Sequence, residues 1–280
     1  MKEIHFLDIV DMVKIMCMDV NYNLGDDVLS AIDRAIEREE SELGIEVLNK
    51  LKENSEVAVR KKIPLCQDTG IPVFFIEIGQ DMKIKGGLIY DAINEGVRQG
   101  YKEGFLRNSI VADPIGRRNT KTYTPAIIHT ELIPGDKLKL NLEISGGGCE
   151  NMSNIKMLIP ADGVEGVKNF VLETVKKIGA NPCPPIVVGV GIGGDFELAA
   201  ILAKKALLRS VGNPNPKLEI AALEEEIYKK INKLGIGPLG FGGRITALAV
   251  HIETYPCHIA SLPVAVNICC HSARHKTIIM

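Results

Sequence analysis

Residues 66–78 read Cys-Gln-Asp-Thr-Gly-Ile-Pro-Val-Phe-Phe-Ile-Glu-Ile, a polar corner that runs directly into an apolar stretch. The stretch 72–78 predicts a buried β-strand, because short continuous apolar runs are typical of strands covered on both faces. The charged segment before the corner, about 41–62, predicts a helix. Pro64 ends that helix, because proline cannot donate a hydrogen bond into the preceding turn and disfavours helical angles at its predecessor.

Helical patterns dominate the chain before this corner. Within residues 1–62, an apolar stripe at helical spacing begins at Ile9 and ends at Met16, and Asp27 is placed to cap a second helix. After the corner, helices and strands alternate. Helices are predicted at about 88–103, 163–177, 196–210 and 218–233, and strands at about 126–132, 137–144, 185–190, 245–252 and 262–268.

This alternation favours an α/β class of mixed α+β type, with helices packed on a mixed sheet. The strands at 126–132 and 137–144 are expected to form a hairpin, because Pro134-Gly135-Asp136 between them is a turn sequence. We expect one domain over residues 1–280, with a helical segment at about 1–62 and an α/β body at about 63–280. The length allows two lobes.

The composition excludes several function classes. With 280 residues, 46% hydrophobic and 24% charged, the chain is an ordinary globular protein with a large core. Its formal net charge of -2 and pI near 6.3 provide no broad positive field, so we expect no nucleic-acid or membrane partner. No apolar run approaches the length of a membrane span, and residues 1–5 lack a signal-peptide core. A cytoplasmic location is expected.

Two familiar motifs are weak here. Gly189-x-Gly191-x-x-Gly194 follows an apolar strand and precedes a helix, as in dinucleotide-binding proteins, but the expected second strand ending in an acid does not follow. The alternative is that these glycines allow a helix to approach a strand closely. Asp68-Thr69-Gly70 matches the tripeptide of aspartic proteases, but those proteins are all-β and need two carboxylates.

The seven cysteines are scattered along the chain with no disulfide-framework spacing, so in a reducing compartment they are available as metal ligands. Cys66, Cys183 and Cys270 occupy polar or proline-rich segments, where ligands are usually presented. Prolines on both sides of Cys183 restrict its backbone before a metal binds. Structural zinc sites usually show close Cys-x-x-Cys pairs, which this sequence lacks.

Taken together, these motifs resemble one family. Cys66-Gln-Asp-Thr-Gly, a Gly-Gly-Gly turn, Cys183-Pro-Pro and Cys270 followed four residues later by arginine are similar to the cluster-binding N-terminal part of class I fumarases. They are equally similar to the α subunit of two-chain fumarases and tartrate dehydratases. The resemblance covers the chain nearly end to end.

The resemblance implies a 4Fe-4S cluster held by Cys66, Cys183 and Cys270, with one iron left without a protein ligand. That iron is the expected Lewis acid of a hydro-lyase. Cys269 is the alternative third ligand. Cys149 follows the glycine turn and receives no role.

The resemblance also implies a set of substrate residues. Asp68 is the expected group for proton transfer or for orienting the substrate hydroxyl, and His258 is the second expected catalytic residue; a structural histidine is the alternative for His258. The expected dicarboxylate-binding residues are Gln67, Arg107, Gly146, Gly147 and Gly148. Arg107 suits this task because its planar guanidinium can donate two hydrogen bonds to one carboxylate.

Single-chain relatives continue into a further domain that supplies the catalytic base. The resemblance therefore implies a separate β subunit that carries this base and further carboxylate-binding residues, in a heterodimer or heterotetramer. The expected reaction is hydration of fumarate to L-malate, with L-tartrate dehydration as the alternative. More distant alternatives are a nucleotide-binding protein and a redox sensor or electron carrier, but a carrier would favour four protein ligands.

Overall fold

The computed structural model describes residues 2–280, which form two compact units. The first unit comprises residues 2–24, 55–147 and 274–280, and the second comprises residues 25–54 and 148–273. The helices are α1 Phe6–Tyr22, α2 Asp26–Arg38, α3 Glu42–Lys61, α4 Ile89–Glu103, α5 Gly147–Glu150, α6 Gly163–Ile178, α7 Phe196–Ala206 and α8 Leu218–Ile231. The strands are β1 Lys2–His5, β2 Ile71–Gly79, β3 Met82–Lys85, β4 Ile127–Ile133, β5 Leu138–Ser145, β6 Asn154–Leu158, β7 Ile186–Gly194, β8 Ala247–Cys257, β9 Leu262–Cys269 and β10 His275–Ile279. The predicted α/β class, with helices on mixed sheets, is confirmed.

The main sheet of the first unit has the strand order β10-β5-β2-β4, and β1 and β3 form a separate parallel pair. The predicted hairpin between β4 and β5 is wrong, because β2 lies between them, parallel to β4 and antiparallel to β5. The reason is the apolar character of β2. Phe74 and Ile76 are almost fully buried, and a strand of this kind is most stable with a neighbour on each side.

The sheet of the second unit has the order β6-β9-β7-β8, with β7 parallel to β8 and antiparallel to β9. Val188 and Val190 of β7 face a core that includes Phe170 of α6 and Ile227 of α8. Because successive side chains of a strand point to opposite faces, Gly189 and Gly191 face α7 instead. The sheet is therefore covered on both faces.

Two glycines of β7 permit this close packing of α7. A Cβ atom at Gly189 would lie 2.1 Å from the Ala203 carbonyl oxygen, and one at Gly191 would lie 2.0 Å from the Ala199 carbonyl oxygen. Both distances are far below a permitted contact. The glycine motif thus serves the packing of strand against helix, the alternative that the sequence favoured over dinucleotide binding.

The carboxylate of Glu39 joins the end of α2 to the segment before β8 within the second unit. It accepts hydrogen bonds from the backbone N–H groups of Glu40, Ser41, Arg244 and Ile245. Burial alone would raise the pKa of Glu39, but these four N–H groups stabilise the anion and bring its pKa below the ordinary value.

The prediction that Asp27 caps α2 is wrong. The N-cap residue is Gly25, and Asp27 lies in the first turn. Its carboxylate accepts a hydrogen bond of 2.7 Å from the backbone N–H of Val211, in the same unit. The Asp27 side chain therefore makes a tertiary contact instead of the helix cap that the local sequence pattern predicted.

Candidate active site

The polar corner at residues 66–70 holds the Asp68 side chain in one orientation. Asp68 Oδ1 accepts a hydrogen bond from the Gly70 N–H at 3.0 Å, and Oδ2 accepts one from the Gly147 N–H at 2.8 Å. The backbone N–H of Asp68 donates to Cys66 Sγ at 3.4 Å. A carboxylate that accepts hydrogen bonds on both oxygens has little rotational freedom, so the Asp68 side chain is fixed. The hydrogen bond to Cys66 Sγ places the thiol beside it.

Arg274 supports this corner from inside the first unit. Its side chain is 3% exposed, and Nη1 donates to the Asp68 carbonyl oxygen and to Asn21 Oδ1, both at 2.9 Å. Its Nε atom is buried and has no hydrogen-bond partner among residues 2–280. In the sequence motif, Arg274 appears only as the arginine four residues after Cys270, with no predicted role. The structure makes it the buried support of Asp68.

Thr69 connects Arg107 to the same corner. Thr69 Oγ1 accepts a hydrogen bond from the Arg107 backbone N–H at 2.9 Å, and its hydroxyl is 3.4 Å from the Arg107 carbonyl oxygen. Tyr101 donates to the Thr69 carbonyl at 2.8 Å, and burial raises the pKa of Tyr101 well above its ordinary value, which keeps the hydroxyl protonated. The Arg107 side chain is exposed and forms no ion pair within residues 2–280, so its guanidinium is available to an anion.

We call residues 66–70, together with Arg107 and Arg274, the Asp68 corner. Gln67 is exposed within it. A Cβ atom at Gly146 would lie 3.2 Å from Asp68 Oδ2, so glycine at this position leaves room for the carboxylate. The Gly147 N–H, expected to serve a substrate anion, instead serves Asp68. Gly148 follows in the short helix α5.

Two of the three predicted cluster ligands lie at one end of the sheet in the second unit. Cys183 precedes β7 and Cys270 follows β9, and the pairing of Val187 with Cys269 brings those strand ends together. Cys183 is exposed and has a φ of 55°, which is unfavourable for a residue with a side chain. Its N–H donates to the Ala180 carbonyl at 3.0 Å, which helps to hold this conformation.

A third cysteine, Cys149, lies beside these two. It is 6% exposed, and its thiol is 3.9 Å from the Pro182 carbonyl oxygen, next to Cys183. The neighbouring Cys270 side chain, burial and the charge of Cys183 raise the pKa of Cys149. We call Cys149, Cys183 and Cys270 the thiol end. The sequence motifs assign no role to Cys149, because a lone buried cysteine is usually inert.

The cysteines of the thiol end carry the side-chain type that iron-sulfur clusters require. Within residues 2–280 the cysteines form no disulfide, and no three His, Cys, Asp or Glu side chains converge on a point where one metal ion would sit. In a four-iron cluster each thiolate binds a different iron, so the sulfur atoms stand apart. Thiolates are the protein ligands that such clusters require.

The structure does not place His258 near the thiol end of its own chain. His258 is exposed in the turn between β8 and β9, where its Nδ1 accepts a hydrogen bond from the Ala260 N–H at 3.1 Å. The pairing of Gly194 with Cys257 puts this turn at the end of β7 opposite to Cys183. At about 3.3 Å per residue, β9 separates His258 from Cys270 by roughly 20 Å or more.

A cavity of about 220 Å³ opens elsewhere in the second unit, between α2, α8 and β8. Arg34, Arg38 and Tyr228 line it, and none of the predicted site residues does. Separately, no helix within residues 2–280 is both long enough and apolar enough to cross a bilayer.

Comparison with known proteins identifies the family. The family model of fumarate hydratase (Fumerase) matches residues 10–279, and the chain belongs to this family. "Putative L(+)-tartrate dehydratase subunit alpha" of Methanocaldococcus jannaschii is 44% identical over 276 residues, which cover 96% of this chain and 96% of that protein. The L(+)-tartrate dehydratase subunit alpha of Escherichia coli O157:H7 is 32% identical over 264 residues, 93% of this chain and 87% of that protein. The resemblance that the motifs indicated is confirmed.

Proposed function

We propose that this chain is the cluster-binding α subunit of an iron-sulfur hydro-lyase that catalyses the reversible hydration of fumarate to L-malate in the cytoplasm. The observation that carries the proposal is the Asp68 corner: the Cys66 thiol accepts a hydrogen bond from the Asp68 N–H, the Asp68 carboxylate is held by the Gly70 N–H, and Thr69 binds the backbone of the exposed Arg107. A dicarboxylate that gains or loses water needs a carboxylate clamp and a group at the hydroxyl. The corner offers both.

In this proposal Cys66, Cys183 and Cys270 hold the 4Fe-4S cluster. When bound, the cluster supplies an iron without a protein ligand, which acts as a Lewis acid toward the substrate hydroxyl and carboxylate. Loop positions and thiol chemistry support this ligand set. Cys269 is less suitable, because it is buried within β9 and pairs with Val187 of β7.

The residues of the Asp68 corner bind and orient the substrate. Arg107 binds one carboxylate through its planar fork, and Gln67 hydrogen-bonds to the same end of the molecule. Asp68 accepts or returns the proton of the substrate hydroxyl, and its two backbone hydrogen bonds keep the carboxylate aimed during that transfer. Arg274 positions Asp68 without touching the substrate.

The proposal includes a β subunit that supplies the catalytic base for C2 and further carboxylate-binding groups. The name "subunit alpha" of both relatives supports a second chain. Two αβ pairs then form a heterotetramer. L(+)-tartrate is the second candidate substrate, and the names of the relatives favour it; it differs from malate by one hydroxyl.

His258 takes part in this proposal from a second α chain. Its position at the far end of β7 and β9 prevents it from reaching the thiol end of its own chain. In a heterotetramer, the exposed β8–β9 turn of one α chain can serve the site of the other. Co-expression of His258→Ala and Cys183→Ser α chains tests this point. Each variant alone is expected to be inactive, and the mixture is expected to regain part of the activity; no regain contradicts the assignment.

The experiment for the main proposal is anaerobic co-expression of this chain with a candidate β chain from the same genome, followed by cluster reconstitution. Fumarate hydration and L(+)-tartrate dehydration are then measured with and without the β chain. We expect fumarate hydration only in the complex. Activity on L(+)-tartrate alone selects the second candidate. A complex that contains the cluster but acts on neither substrate contradicts the proposal.

A further inference from the structure

The cavity between α2, α8 and β8 contains two arginines that no carboxylate neutralises. Arg34 and Arg38 both line it, and neither forms an ion pair with an acidic residue within residues 2–280. They are four residues apart on α2, so they lie on one face of the helix, where two like charges repel each other. The proposed reaction gives neither residue a task.

The acidic residues that line the same cavity are already paired. Glu224 Oε1 lies 2.7 Å from Arg209 Nη1, and the Glu224 carboxylate also accepts two hydrogen bonds from backbone N–H groups. Glu225 forms an ion pair of 3.0 Å with Lys229. The cavity therefore presents two positive charges that its own carboxylates do not compensate.

Both guanidinium groups are held against the walls of the cavity. Arg38 lies over the Tyr228 ring, 6.0 Å from its centroid, and its Nη1 atom is 3.5 Å from the Tyr228 hydroxyl. Arg34 Nη2 lies beside Gly212, where an added Cβ atom would approach it to 3.0 Å. The Arg34 side chain makes no hydrogen bond within residues 2–280 and the Arg38 side chain makes only this one, so most of their N–H donors are available to a ligand.

We propose that this cavity binds a small polyanion, either a polycarboxylate or a phosphorylated acid, through Arg34 and Arg38. Four residues of an α-helix span about 6 Å, so each guanidinium can bind one end of a short molecule with two negative groups. Arginine suits both kinds of anion, because its planar fork donates two hydrogen bonds to a carboxylate or to a phosphate.

The size and the floor of the cavity limit the ligand further. At about 220 Å³ the cavity is too small for a nucleotide, since pockets for drug-sized ligands occupy about 300–1,000 Å³. Ala31, Ala35 and Val250 supply apolar surface for the carbon chain between the two charged groups. None of the residues assigned to the proposed reaction lines the cavity, so the inference does not depend on that reaction.

Isothermal titration calorimetry of the full chain tests the site. Tricarballylate is the polycarboxylate probe, 2-phosphoglycolate is the phosphorylated probe, and acetate, with one charge, is the control ligand. We expect at least one of the two probes to bind and acetate not to bind; the tighter probe then identifies the chemical class. Arg34→Gln and Arg38→Gln should each weaken binding by about tenfold, and the double variant by about a hundredfold.

Two control variants separate this site from a general effect of charge and from the Asp68 corner. The double variant Arg60→Gln, Lys61→Gln removes the same charge from the exposed end of α3, and Arg107→Gln removes the carboxylate clamp of the proposed function. We expect both to bind the probe as the wild type does, with unchanged circular dichroism spectra in all variants.

Two results overturn the inference: the wild type binds neither probe, or the double variant at Arg34 and Arg38 binds as tightly as the wild type. If Arg107→Gln abolishes binding while that double variant retains it, the probe occupies the Asp68 corner. This outcome also overturns the inference, but it supports the carboxylate clamp of the proposed function.

Discussion

The Asp68 corner and the thiol end hold their functional groups by different means. In the corner, both oxygens of Asp68, its carbonyl and its N–H all have protein partners, and a buried arginine completes the network. At the thiol end, Cys183 is exposed on a loop with an unfavourable φ. Proton transfer depends on the direction of a carboxylate, whereas sulfur ligands are fixed mainly by the metal they bind. The Asp68 corner is therefore organised before any ligand binds.

Replacing Asp68 tests the chemical side of this comparison and should have the largest effect. Asp68→Asn places an amide N–H₂ group against one of the backbone N–H groups that now donate to the carboxylate, and it removes the proton acceptor. We expect kcat for fumarate hydration to fall by about 10²–10⁴-fold, with iron content unchanged. The matched control is Asp81→Asn, at an exposed residue that is expected to retain full activity. Unchanged kcat in Asp68→Asn would remove Asp68 from the reaction.

Removing the buried support of the corner should be next in size. Arg274→Met leaves the Asp68 carbonyl and Asn21 Oδ1 without a donor, and we expect the free energy of unfolding to fall by about 3–5 kcal/mol. Urea titration of the αβ complex measures this change. At the exposed Arg60, the substitution Arg60→Met should change the free energy of unfolding by no more than about 0.5 kcal/mol. Equal stability of the two variants would show that Arg274 does not hold the corner.

The strand-to-helix contact in the second unit allows a smaller test. Gly191→Ala puts a Cβ atom on the Ala199 carbonyl oxygen, and we expect a loss of about 2–3 kcal/mol in unfolding free energy. Gly148→Ala is the control, because no atom of residues 2–280 other than those of its chain neighbours lies within 4 Å of a Cβ atom placed at Gly148. If Gly191→Ala binds a nicotinamide nucleotide less well than the wild type, the nucleotide-binding alternative regains support.

The smallest effect should come from Glu39, and it should depend on pH. Because its folded pKa lies below the ordinary value of 4.5, Glu39 stabilises the fold above that pH and loses this contribution as the pH falls through the folded pKa. Glu39→Gln should therefore cost about 2 kcal/mol at pH 7 and progressively less below pH 4.5. Thermal unfolding of the wild type and of Glu39→Gln, at pH 7 and at a pH below 4.5, measures this difference in stability. A penalty that grows on acidification would contradict the assignment.

The sequence predicted what depends on local pattern and missed what depends on pairing across the chain. The helices α4, α6 and α8 and the strands β7 and β9 follow from apolar periodicity and from glycine or proline at their ends. The pairing partner of β4 does not follow from local pattern, because Pro134-Gly135-Asp136 can form a turn whether or not β4 and β5 are paired. The terminal strands β1 and β10 are short and charged, and only their tertiary partners define them.

The same division applies to the site. Cys66, Asp68 and Arg107 were found because their motif is contiguous or matches a family pattern, and Thr69 then joins them in space. The support from Arg274 was not visible in the sequence, since its partners Asp68 and Asn21 are more than 200 residues away along the chain. Strand pairing also explains the unexpected position of His258, because one strand separates it from Cys270.

The central proposal is that Cys66, Cys183 and Cys270 hold one cluster, and iron content tests it most directly. Acid-labile sulfide and iron are measured in the reconstituted αβ complex of Cys66→Ser, Cys183→Ser, Cys270→Ser and the control Cys257→Ser, whose cysteine is exposed in the β8–β9 region. We expect each of the first three variants to lose the cluster and the control to keep it. Full iron and sulfide in any one of the first three would contradict the account.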